Sequence, residues 1–128
     1  MKLLLDTQAF IWWSNDPEKL SARARAACED ISNILLLSVA SVWEMQIKLQ
    51  LGKLKLDVPL RTLVESQQQG NDVQILPVVN EHVFALENLP LHHKDPFDRM
   101  LIAQANTEEL LVVSKDENFK AYPVKLLW

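Results

Sequence analysis

Short, nearly unbroken apolar runs alternate along the chain with longer stretches whose apolar residues recur every three or four positions. The runs are Lys2-Leu3-Leu4-Leu5, Asn33-Ile34-Leu35-Leu36-Leu37, Val73 to Val78, Leu110 to Val113 and Val124-Lys125-Leu126-Leu127. Runs of this kind suit strands buried on both faces. Pro77 cannot donate to a ladder, which puts the third run at the periphery. Between the runs, helical spacing predicts a helix from Thr7 to near Asn15, and another from Ser21 to Cys28 with Leu20, Ala24, Ala27 and Ile31 on its apolar face. Val39 to Leu51 follows Ser38 as N-cap, presents Val39, Val42, Trp43 and Ile47 to the core and ends at Gly52. Pro59 opens a helix to about Gln69, and Asn80 caps one to about Glu87. Glu117 to Lys120 can make only about one turn. Strands alternating with helices predict an α/β fold with a central, mainly parallel sheet of about five strands and right-handed crossovers.

One further helix begins with more charge than a helix start requires. In His92-His93-Lys94-Asp95-Pro96-Phe97-Asp98-Arg99, Asp95 suits the N-cap, Pro96 the first helical position and Asp98 the first turn, where a carboxylate meets orphan amides and the positive end of the dipole. Leu101, Ile102 and Ala105 continue the apolar face, so the acidic turn projects out of the core.

Composition narrows the function. At 128 residues and 48% hydrophobic content the chain fits one domain over residues 1–128. Cys28 has no disulfide partner, and the N-terminal apolar run is too short for a signal peptide or membrane span, which together suggest a cytoplasmic protein. The net charge of −4 argues against a general polyanion-binding surface, so a nucleic-acid substrate needs a metal ion or a local basic patch. With two glycines and neither GxGxxG nor GxxxxGK[ST], the phosphate-loop nucleotide-binding folds are excluded.

Four acids fall where the carboxyl ends of parallel strands gather: Asp6 after the first run, Glu44 in the helix after the second, Asp98 in the first turn of its helix and Asp116 past the fourth run. Each has a local structural reading: Asp6, Asp98 and Asp116 can cap the helical turns beside them, and Glu44 can form a capping box with Ser41. Four caps sharing one sheet edge are less economical than one shared site. Carboxylates brought together raise one another's pKa unless a cation sits among them. Hard oxygens with no Cys or His pair suit Mg²⁺ or Mn²⁺ better than zinc.

The order LLLDT, SVWE, DPFDRMLIAQA, VVSKD resembles the PIN-domain ribonucleases and, among them, the VapC-type toxins of bacterial toxin–antitoxin pairs, over essentially the whole chain. The resemblance implies a three-layer PIN-like fold and Mg²⁺- or Mn²⁺-dependent endoribonuclease activity leaving 5′-phosphate products. It implies an RNA substrate, a homodimer, and a cognate antitoxin whose tail occupies the acidic site. It makes Asp6, Glu44, Asp98 and Asp116 the catalytic and metal-binding acids, with Asp6 and Asp98 the direct ligands. Asp95 is the alternative to Asp98, and Asp116 can act through water.

Arg99, His93, Lys48 and Ser114 are further candidates for contact with substrate. His92 and His93 adjoin Lys94 and Arg99, although a solvated loop also explains them; Ser114 can orient a carboxylate or water, or simply cap. Lys48, Lys53 and Lys55 can form a phosphate-binding stripe or a solvated helix end. Adjacent Trp12 and Trp13 cannot both face one core, which makes one of them a candidate protein contact. Two other functions compete: a PIN-like domain that binds RNA or a partner without cleaving, and a phospho-acceptor receiver with Lys115 after a late strand. A receiver requires adjacent acids after the first strand and an acceptor Asp after the third, and the chain has neither.

Overall fold

The computed structural model describes residues 1–92 and 94–128. Among the described residues there are five strands, β1 (Lys2–Leu5), β2 (Ile34–Ser38), β3 (Gln74–Leu76), β4 (Leu111–Val113) and β5 (Leu126–Leu127), and six helices, two between each successive pair of the first four strands. The helices are α1 (Thr7–Asn15), α2 (Ala22–Glu29), α3 (Val39–Gln50), α4 (Leu60–Gly70), α5 (Asn80–Ala85) and α6 (Pro96–Glu108). Every strand pair is parallel, in the order β3-β2-β1-β4-β5.

Three consecutive leucines at the centre of the sheet explain the layers. Side chains alternate across a strand. Leu3 and Leu5 therefore join one core with Phe10, Met45 and Leu63, while Leu4 joins the other with Leu101, Ile102 and Phe119. Helices α1 to α4 contribute to the first core and α6 to the second, giving three layers. The chain winds outward from β1 through β2 to β3, then crosses back to place β4 on the other side of β1. The strand order reverses between β1 and β4, and in open α/β sheets a crevice forms at that switch. A flavodoxin-like receiver has the order 2-1-3-4-5, so this sheet removes the receiver reading.

Several local expectations shift. Helix α3 buries Ala40, Ser41, Glu44 and Met45, whereas Val39 and Trp43 are exposed. The helix is rotated from that stripe: Ala40, Ser41, Glu44 and Met45 turn inward, while Val42 of the expected face is partly buried against the first core. Ile31 lies beyond the end of α2 and is fully exposed. Asn80 is the first residue of α5 rather than its cap; the Val79 amide donates to His82 Nδ1 at 3.1 Å. Trp12 and Trp13 are both partly buried against the first core, and Trp12 tilts against Trp128 with ring centroids 5.9 Å apart. Cys28 is a buried free thiol.

Candidate active site

The sharp passage from β1 to α1 fixes the first acid. Asp6 is the N-cap of α1, and its Oδ1 accepts from the Ala9 amide at 2.7 Å. Its Oδ2 accepts from Ser114 Oγ at 2.5 Å, a bond between residues 108 positions apart. Ser114 follows β4, so the bond spans the β1/β4 switch point; its Oγ also accepts from the Asp116 amide at 3.0 Å, tying the two strand ends together. Asp6 and Ser114 are both buried.

Glu44 arrives from α3. Its Oε1 accepts from Thr7 Oγ1 at 2.7 Å, and its Oε2 lies 2.7 Å from Lys48 Nζ one turn along the same helix. Ser38 Oγ accepts from the Ala40 amide at 3.0 Å and so takes the cap of α3, leaving Glu44 outside any capping box. Asp98 is half-buried in the first turn of α6, while Asp95 Oδ1 takes the cap by accepting from the Phe97 and Asp98 amides at 2.9 and 3.0 Å. The more exposed Asp116 caps the short turn after β4 through Asn118 N at 2.9 Å.

All four acids line one open cavity of about 560 Å³, together with Thr7, Trp12, Asp95 and three lysines, Lys48, Lys53 and Lys115. Burial above all, and neighbouring carboxylates after it, disfavour the charged forms of two acids in this cavity. Burial, opposed by the bonds from Ser114 and Ala9 and assisted by Asp116 and Glu44, pushes the Asp6 carboxyl up from 3.8 to about 6. Burial and the charges of Asp95, Asp116, Glu44 and Asp6 push Asp98 up to about 7. Lys48 is held above its ordinary value, chiefly by its bond to Glu44.

Among the described residues, no three His, Cys, Asp or Glu side chains converge closely enough to cage an ion unaided. Mg²⁺ does not require such a cage: it keeps several waters and binds through one or two carboxylates plus substrate phosphate. An all-oxygen donor set with two carboxyls raised by burial and mutual repulsion fits that chemistry, because a divalent ion would relieve the same repulsion.

The other candidates are placed differently. Lys48 lines the cavity but is engaged by Glu44. Arg99 is not part of the cavity lining; its Nη1 donates to the Pro90 carbonyl at 2.8 Å and to Tyr122 Oη at 3.3 Å. His92 packs edge-on against Tyr122 with centroids 5.1 Å apart, and His93 lies outside the described residues. Sequence reasoning missed Thr7 as the partner of Glu44; its position directly after Asp6, in the first turn of α1, was the available signal. No described helix is long and apolar enough to cross a membrane.

A family model described as PIN domain matches residues 3–125. Ribonuclease VapC22 of Mycobacterium tuberculosis is 28% identical over 122 residues, covering 94% of this chain and 91% of the relative. Among solved structures, VapBC2 from Rickettsia felis bound to a promoter DNA fragment superposes with a TM-score of 0.73 at 16% identity, covering 99% of this chain and 98% of the other. DNA-bound VapBC from Salmonella typhimurium gives 0.69 at 17% identity, with 99% and 97% covered.

Proposed function

The chain belongs to the PIN domain family, and from that premise we propose that it is the toxin of a toxin–antitoxin pair, a divalent-metal-dependent endoribonuclease hydrolysing RNA phosphodiester bonds in the acidic cavity. The observation that carries this reading is the convergence of Asp6, Glu44, Asp98 and Asp116 on one cavity at the β1/β4 switch point, with Asp6 and Asp98 both raised toward neutrality. The similarity to a mycobacterial ribonuclease over nearly the full length supports the activity. The VapBC neighbours support the fold on which it rests.

In this reading Asp6 and Asp98 hold Mg²⁺ or Mn²⁺ directly, and Glu44 and Asp116 complete the site, Asp116 through water. The bound ion supplies Lewis acidity toward the scissile phosphate and lowers the pKa of the attacking water. The chain's own residues supply orientation. Ser114 and the Ala9 amide hold both oxygens of Asp6 in place, and Thr7 fixes one oxygen of Glu44. In-line attack of water on the phosphorus would break the P–O3′ bond, leaving a 5′-phosphate on one fragment and a 3′-hydroxyl on the other. Residues 1–128 form a single PIN domain working in the cytoplasm. A cognate antitoxin covers the cavity, and exposed Val39 and Trp43 on α3 and Val83 and Phe84 on α5 offer apolar surface to a second copy in a homodimer.

Expression in a bacterial host without antitoxin tests the proposal. Growth arrest accompanied by RNA fragments bearing 5′-phosphates is expected, and Asp6→Asn removes both. Intact RNA under Mg²⁺ or Mn²⁺ in vitro, together with undiminished toxicity of Asp6→Asn, contradicts it.

A further inference from the structure

The acidic cavity must admit an RNA backbone that its own charge repels, and three lysines line it beside Asp6, Asp98 and Asp116. They are not equivalent. Lys48 Nζ is 2.7 Å from Glu44 Oε2, so its charge is already answered within the protein. Among the described residues, Lys53 and Lys115 have no carboxylate within ion-pairing distance.

Local structure delivers both to the cavity. Gly52 adopts φ +72 just past α3, a left-handed conformation that suits glycine. The Lys53 amide then donates back to the Lys48 carbonyl at 2.8 Å and the Gly52 amide to the Leu49 carbonyl at 3.2 Å, the paired bonds of a Schellman turn. This turn ends the helix and sets Lys53 at the cavity wall. Lys115 follows Ser114 after β4, and its Nζ lies 5.9 Å from the centre of the Trp12 ring, which also lines the cavity. The two lysines reach the cavity from different elements, Lys53 from the end of α3 and Lys115 from the segment after β4.

We infer that Lys53 and Lys115 form a phosphate-binding subsite, gripping the RNA backbone beside the phosphate presented to the acids, while Lys48 stays with Glu44. The inference rests on the ribonuclease reading and deepens it: the contacts are to phosphate, so they supply affinity and register without base preference.

Binding of a labelled single-stranded RNA to full-length protein carrying Asp98→Asn, which binds without cutting, provides the test across about 50 to 200 mM salt. Lys53→Ala and Lys115→Ala, each added to that protein, are expected to weaken binding about 5- to 10-fold and to reduce the salt slope by about 0.7 apiece, one phosphate contact each on a single strand. Lys53→Arg and Lys115→Arg restore the slope, and Lys125→Ala, far along the chain on the β5 side, leaves it unchanged. Unchanged slopes in both alanine variants overturn the subsite while leaving the ribonuclease reading intact. Failure of the Asp98→Asn protein to bind RNA at any salt overturns both.

Discussion

Replacing Asp98 by Asn separates a carboxylate that caps a helix from one crowded by other acids. Asp95 already supplies the cap of α6, and asparagine keeps the size of the side chain while removing its charge. In the fold, Asp98 titrates near 7 instead of 3.8, because of burial and the charges of Asp95, Asp116, Glu44 and Asp6. A raised acid favours its protonated form in the folded state. Below about pH 4 it therefore costs nothing, the cost grows from about pH 4 to 7, and above that it is complete. At about 1.4 kcal/mol per pH unit the ceiling is about 4 kcal/mol; water and counterions entering the open cavity bring it to about 1–2 kcal/mol. Metal-free Asp98→Asn is thus expected to be more stable than the wild type at about pH 8, by about 3–8 °C in Tm, with the advantage vanishing near pH 4. Melting curves in chelator at the two pH values read this out. Adding millimolar Mn²⁺ reverses the order, because an ion that binds only the folded wild type stabilises it by mass action. A variant less stable than the wild type by the same amount at both pH values would show instead that Asp98 is an ordinary helix-start residue.

Other perturbations probe the supports of the site. Ser114→Ala removes the bond that lowers the Asp6 pKa; a charged hydrogen bond of about 1.5 kcal/mol corresponds to about one pH unit, so the acidic limb of the RNA-cleavage pH profile moves up by about that much. Thr7→Val frees one oxygen of buried Glu44 at nearly constant volume, and cleavage is expected to fall about 10-fold with a Tm loss of a few degrees. Glu109 ends α6 in a left-handed conformation at φ 58; Glu109→Gly is expected to raise stability in urea by about 1 kcal/mol with no change in cleavage.

The strands and their parallel pairing were legible because runs such as Leu3-Leu4-Leu5 have no solvated side. The convergence of the four acids was legible in part: Asp6 and Asp116 sit at or just past the ends of β1 and β4, whereas Glu44 and Asp98 come from the second turn of α3 and the first turn of α6, and their meeting depends on how those helices pack. The phase of α3 was not. Val39, Val42, Trp43 and Ile47 make a better apolar stripe than Ala40, Ser41, Glu44 and Met45, yet the second set is buried, and of the first Val42 packs against the core while Val39 and Trp43 are exposed. The cause lies outside the helix: Thr7, 37 residues away, offers Glu44 a buried hydroxyl, and no periodicity reports a partner at that distance. The lysines illustrate the same limit. Lys48, Lys53 and Lys55 form one stripe by spacing, but the i,i+4 bond to Glu44 occupies Lys48, the turn at Gly52 brings Lys53 to the cavity, and Lys115 joins from β4. Arg99 suggests a substrate contact by its position beside Asp98; the Pro90 carbonyl and Tyr122 hydroxyl that hold it come from loops that sequence spacing does not place.

Whether carboxylates at the β1/β4 switch point carry out metal-dependent RNA cleavage is decided by single-turnover cleavage of RNA by the wild type and Asp98→Asn over a range of Mn²⁺ concentrations. The wild type is expected to cut only with the ion present, and the folded variant to be slower by about 100-fold or more at every concentration. Equal cleavage rates with the same Mn²⁺ dependence in both proteins would take the chemistry away from this cavity.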